Sequence, residues 1–141
     1  MIMTIKIIPV FLYMIVGCIS LTMAYKNMFS NRLIPFQEHA AGKSLSEMDV
    51  GIQSVILALM KVSGLGFLVV SLLLLIFPLV NYFENSAFIK YAIPSISLLY
   101  CFGLFLFNYR LYDQTKVETP WKRSLYAAII IGLGIILSIL I

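Results

Sequence analysis

One histidine, His39, stands beside Glu38 in the stretch IPFQEHAAGKSLSEMD (34–49). Imidazole next to a carboxylate is the pairing from which proton shuttles near neutral pH are built. Lys43, Lys61, Arg110 and Asp113, with Asn108 beside them, are the remaining side chains that could join it at one depth. For Lys61, a buried partner or a ligand phosphate would be the functional use. Against catalysis, neighbours on an extended loop point apart, and no nucleophile is tied to the pair. The expected role of Glu38, His39, Lys43, Lys61, Arg110 and Asp113 is therefore a solvated loop and helix rim. A ligand or partner site is the second reading, and no residue is assigned as catalytic.

Metal chemistry has less support. Cys18 and Cys101 are far apart in sequence and lie in apolar runs, so with one loop histidine they make no zinc spacing. A haem held between helices would want a histidine or methionine inside the membrane; no histidine is there, and Met14, Met23 and Met60 read as packing residues. No metal and no cofactor are expected. IVGC (15–18) resembles a bacterial lipobox, but ISLTMAY after the cysteine stays apolar and completes a spanning length, so an uncleaved first helix is expected.

The elements that must carry these residues are set by composition. Of 141 residues, 62% are hydrophobic and 11% charged. Soluble domains have about 45–50% apolar and about 25% charged residues. The surplus apolar surface calls for lipid as solvent. Four charge-free runs stand out: Ile7–Tyr25, Val62–Val80, Tyr91–Tyr109 and Ser124–Ile141. Crossing a hydrocarbon core about 30 Å thick takes roughly 20 helical residues. No run alternates as a membrane strand would. The expectation is a single transmembrane domain over 1–141, an all-α integral membrane protein. Its four antiparallel helices would cover about 5–25, 46–80 (crossing at 62–80), 87–110 and 120–141. A cytoplasmic loop or interfacial helix would join the first two. Thr119 and Pro120 are suited to start the last helix. Trp121, Tyr126, Tyr109 and Tyr112 would form an aromatic belt at one interface, and Tyr82, Phe83 and Tyr91 at the other. Pro94 predicts a kink.

Basic residues set the orientation. Connector 26–61 carries Lys26, Arg32, Lys43 and Lys61; connector 110–123 carries Arg110, Lys116, Lys122 and Arg123. The opposite face has only Lys6 and Lys90. Positive residues collect in the cytoplasm. A bacterial-type inner membrane is therefore expected, with both termini outside and connectors 26–50 and 110–123 inside. The net charge of +4 is explained by this bias, so the expected partner is membrane lipid and not nucleic acid.

SLSE (44–47) has the pattern of a capping box for a helix whose stripe would be Met48, Ile52, Val55, Ile56 and Leu59, with HAAGK a loop ahead of it. The apolar stretch 51–80 is too long for one straight crossing. It is either one tilted helix or an interfacial helix bending near Ser63–Gly66. Lys61 would snorkel to the headgroups in both cases, and Lys90 likewise, with Glu84 as an exposed partner.

None of the six acids, Glu38, Glu47, Asp49, Glu84, Asp113 and Glu118, lies in an apolar run. Ion-coupled transport needs such a group inside the membrane, and no inverted repeat is visible. Small residues can bring helices close; Gly17, Gly64, Gly66, Ala128, Gly132, Gly134 and Ser138 are the candidates. They would serve either the internal bundle or a self-association face on the last helix. The leading functional expectation is a small non-catalytic multi-pass protein. It would act as a homo-oligomer or with other membrane subunits, as an accessory part of a larger complex. The alternative is a membrane-embedded enzyme or lipid or small-molecule binder with its site at the cytoplasmic mouth near His39 and Lys61. A channel is third.

Overall fold

The structure, a computed structural model, describes residues 2–84 and 86–140, with the side chains of 2–6, 79 and 81–84 outside the description. It is all-helical, with no strand among the described residues. The helices are α1 (Ile2–Phe29), α2 (Pro35–Ala41), α3 (Val50–Glu84), α4 (Ala87–Thr115) and α5 (Trp121–Leu140), and a 3₁₀ turn spans Leu45–Glu47. Four helices are long and apolar enough to cross a membrane, over Ile7–Phe29, Val50–Pro78, Ala87–Thr115 and Trp121–Leu140. The expected interfacial positions of Tyr82 and Phe83, and a Glu84–Lys90 pairing, fall outside the described side chains.

Close approach of helix backbones at small residues fixes who neighbours whom. A Cβ on Gly17 of α1 would lie 2.8 Å from Leu75 Cγ, and one on Gly64 of α3 only 2.6 Å from Met28 Cγ. Early α1 therefore meets late α3, and late α1 meets early α3. Gly66 of α3 faces the Tyr100 hydroxyl of α4, and Gly134 of α5 faces the Tyr13 ring of α1. Tyr91 of α4 donates to the Ser138 carbonyl of α5 at 3.4 Å. Contacts thus run from α1 to α3, α3 to α4, α4 to α5 and back to α1. Lipid gives these helices no hydrophobic reason to associate, so interlocking of this kind has to hold them.

The main core contains Tyr13, Val16, Val70, Leu74, Cys101, Ala128 and Ile131. Met14 is exposed on the outer side of α1, as is Cys18, whereas Cys101 is buried. Pro94 is buried inside α4, and Pro9 and Pro78 also sit within helices. A second small core joins Leu33 and Leu45 of the first connector to Met60 of α3, with Ile34, Met48, Ile56 and Leu57 around it. That contact holds the first connector against α3 at Leu33 and Leu45.

The structure departs from the sequence reading in four places. HAAGK is not a loop: His39, Ala40 and Ala41 close α2, which opens on Pro35 at its first turn and ends on Gly42 in the left-handed region at φ 66°. Proline early and a left-handed glycine after the end are the usual stops of a short helix. SLSE begins the 3₁₀ turn and not the long helix; Glu47 Oε2 accepts from the Ser44 N–H at 3.0 Å, while Ser44 Oγ pairs with Ser46 Oγ. The stripe expected at the start of α3 is only partly the packed one. Ile52, Val55 and Leu59 are exposed, and Ile56, Leu57 and Met60 face the connector, because Leu33 and Leu45 land on that side. Thr119 does not cap α5; its buried hydroxyl donates to the Asn108 carbonyl at 2.7 Å and ties the connector to α4. α3 is one continuous helix of 35 residues, Val50–Glu84.

Candidate functional site

No hydrogen bond or ion pair among the described residues links the six charged candidates to one another. His39 is exposed on α2 and Lys43 is exposed just after it, while Glu38 is half-buried with its backbone carbonyl accepting from Gly42. Lys61 is exposed on α3, and Arg110 is exposed on α4. Asp113 is also exposed, and its Oδ1 pairs with Lys116 Nζ at 2.6 Å. That carboxylate, hydrogen-bonded to the Lys116 ammonium, raises the Lys116 pKa above the ordinary lysine value. Exposed pairs of this kind contribute little to stability. None of the six lines a described cavity, and the described residues hold no group of three or more side chains suited to a metal.

A different set of polar residues does converge. At the connector end, a cavity of about 160 Å³ lies between α1, α3, α4 and α5, under α2. Its apolar walls include Ile19, Met23, Phe67 and Leu104, and Phe36 of α2 forms part of the roof. Ser20, Asn27, Gln37, Ser63, Asn108 and Ser124 supply polar groups, and Arg123 stands on its wall. Asn27, Gln37, Asn108 and Ser124 are held by hydrogen bonds of their own. Asn27 lies in the last turn of α1, and its Nδ2 donates back to the Met23 carbonyl at 3.1 Å. Gln37 is the third residue of α2, and its Oε1 accepts from the Ile34 N–H at 3.1 Å, holding the helix start. Asn108 Nδ2 reaches Ser124 Oγ at 3.5 Å across the α4–α5 junction. Asn27 Oδ1 and Gln37 Nε2 have no protein partner among the described residues.

Outside this cavity, a groove of about 490 Å³ runs between the start of α2 and the α4–α5 connector. Tyr112, Glu118, Trp121 and Lys122 line it, and it shares Ile34, Phe36, Pro120 and Arg123 with the inner cavity. Trp121 packs edge-on against Tyr109 with ring centroids 5.5 Å apart, and Lys122 Nζ stands 5.6 Å from the Trp121 ring. An aromatic and basic rim of this kind suits the headgroup level of a bilayer.

The sequence marks Asn108 as a candidate, Arg123 as a topology signal and Ser63 as a bend position, and gives no sign that Asn27, Gln37 and Ser124 join them at one cavity. A signal for α2 was present, since Pro35 and Gly42 bracket it. Nothing in the one-dimensional pattern brings 27, 37, 108 and 124 to one place. Elsewhere, the Tyr13, Ser71 and Ser97 hydroxyls are buried without a partner among the described residues and line none of the described cavities.

Fold and site together define a class: an all-helical protein with four helices fit to span a membrane, carrying a mainly apolar cavity with a few polar side chains near one end. Comparison of the chain with protein-family models, with curated proteins and with solved structures returns no match.

Proposed function

We propose that the protein is a non-catalytic multi-pass membrane protein. Its four long helices would cross antiparallel, with both termini outside and connectors 26–50 and 110–123 on the cytoplasmic face of a bacterial-type inner membrane. It would act as a homo-oligomer or as an accessory subunit of a larger membrane complex. The observation that carries this reading is the scatter of the charged candidates over α2, α3, α4 and the first connector, each facing outward or standing at a rim. Catalysis needs such groups within hydrogen-bond reach of one another or of a common substrate atom. The lateral surface instead offers long apolar side chains, among them Leu99, Phe107, Leu133 and Ile136. Native mass spectrometry and cross-linking in nanodiscs test the reading. A stable homo-oligomer or a stoichiometric co-purifying membrane subunit is expected, and a monomer that retains neither overturns it.

A second reading, a membrane-embedded lipid or small-molecule binder, is favoured by the cavity beneath α2. Its site would be moved from His39 and Lys61 to Asn27, Gln37, Asn108 and Arg123. His39→Ala with Lys61→Ala would then leave ligand retention intact, whereas filling the cavity at Ala127 would abolish it.

A further inference from the structure

We propose that the cavity beneath α2 holds a single-chain anionic amphiphile, a medium-chain carboxylate, with its chain among the helices and its carboxylate at Arg123. The inference rests on the second reading above and names the ligand class for it.

Three features point to this chemistry. The first is size: an apolar protein cavity of roughly 150 Å³ accommodates a benzene-sized guest, so the space of about 160 Å³ takes a chain of roughly six carbons and not two acyl chains. The second is charge. Arg123 is common to the inner cavity and the outer groove, and no carboxylate among the described residues lies within 4 Å of it. Lys122 is on the same groove wall; Glu118 is the single acid there. A guanidinium at the mouth of an apolar slot is matched to a carboxylate, which it can grip with two parallel hydrogen bonds. The third is a free hydrogen-bond donor: Gln37 of α2 lines the cavity, its Oε1 is taken by the Ile34 N–H, and its Nε2 has no partner among the described residues, so an anionic oxygen can accept from it.

A single-chain amphiphile also has a way in. The cavity is roofed by α2, a seven-residue helix with no buried residue, and the rim of Trp121, Tyr112 and Lys122 lies where headgroups would. A molecule partitioned into the inner leaflet would meet Arg123 first and pass its chain under Phe36.

The test uses the full chain in nanodiscs of neutral lipid, titrated with hexanoate, octanoate and decanoate and with the matching alcohols. Saturable carboxylate binding is expected, rising from hexanoate to octanoate and flattening at decanoate. The alcohols should bind at least 10-fold more weakly. Arg123→Gln should weaken carboxylates at least 10-fold and alcohols little, while Ala127→Phe should abolish both. Circular dichroism melting of each variant verifies that it is folded; should Ala127→Phe fail to fold, Ser63→Leu replaces it. Equal binding of alcohols and carboxylates, or an Arg123→Gln variant that binds octanoate as wild type does, overturns the ligand class while leaving a binding cavity. Displacement by a two-chain anionic lipid at matched concentration also overturns the class. No saturable binding of any guest, with no effect of cavity filling, overturns both the class and the binder reading.

Discussion

Gly132 and Gly134 are two residues apart on α5, yet adding one methyl group to each should have opposite consequences. A Cβ at Gly134 would sit 2.5 Å from Tyr13 Cε1 and 3.0 Å from Cζ. Carbon pairs are at ease at about 3.5–4.0 Å, so the shortfall is about 1 Å. The ring has nowhere to go: Tyr13 is 3% exposed and belongs to the core with Val16, Ala128 and Ile131. α1 and α5 must therefore part. Overpacking of this sort costs about 1–3 kcal/mol, or about 5- to 150-fold in the ratio of folded to unfolded protein. At Gly132 nothing lies within 4 Å of the added carbon. Gly132→Ala meets no obstacle and gains helix propensity, worth up to about 1 kcal/mol in water, so it should be neutral to mildly stabilising. Reversible unfolding in mixed micelles, or steric trapping in bicelles, reads both. Tyr13→Leu withdraws the ring and should suppress most of the cost of Gly134→Ala in a double-mutant cycle. A neutral Gly134→Ala would refute the close approach of α1 and α5. A Gly132→Ala loss of similar size would refute the openness of that position and point to a partner seated on it.

Thr119→Val removes the hydroxyl bonded to the Asn108 carbonyl. A loss of about 1 kcal/mol is expected, read as a lower melting temperature in detergent. Gly42→Ala meets no atom within 4 Å but must hold φ 66°. Strain of about 1–2 kcal/mol follows, and faster amide exchange confined to α2 should report it. Asp113→Asn should return the Lys116 ammonium toward its ordinary pKa in an NMR titration. Because the folded value is raised, any stability from the pair is present below the unfolded lysine value of about 10.4 and lost as pH rises through the folded one. Stability should therefore be flat in pH across the neutral range in both forms. The paired substitution His39→Ala and Lys61→Ala should leave the melting temperature unchanged, both side chains being exposed.

The long helices were legible because lipid imposes a hard rule: charge-free runs of fixed length. Their ends were less so. α1 continues past Tyr25 to Phe29, and α4 past Tyr109 to Thr115, where Lys116 takes a left-handed conformation and closes the helix. A helix does not stop where the lipid stops; it stops at a capping residue, and charged side chains on its final turns can stay solvated. α2 escaped notice because seven residues carry too little periodicity, and only Pro35 and Gly42 mark it. The candidate site was hidden for a related reason. Asn27, Gln37, Asn108 and Ser124 line one cavity only after α1 has found its register on α3 through Gly17 and Gly64, and α4 on α5 through Asn108 and Ser124. The histidine drew attention by its chemistry alone, and α2 turns it outward.

The claim beneath the whole account is that these helices lie in lipid with the α2 end toward the cytoplasm. Site-directed labelling tests it most directly. Single cysteines at Ser86, Lys43 and Lys116, in a chain whose Cys18 and Cys101 are replaced by alanine, are exposed to a membrane-impermeant maleimide in intact spheroplasts. Labelling of Ser86→Cys alone, with Lys43→Cys and Lys116→Cys reacting only after permeabilisation, is the predicted result. Reaction of Lys43→Cys or Lys116→Cys in intact spheroplasts would contradict the orientation, and labelling of all three would contradict the four crossings themselves.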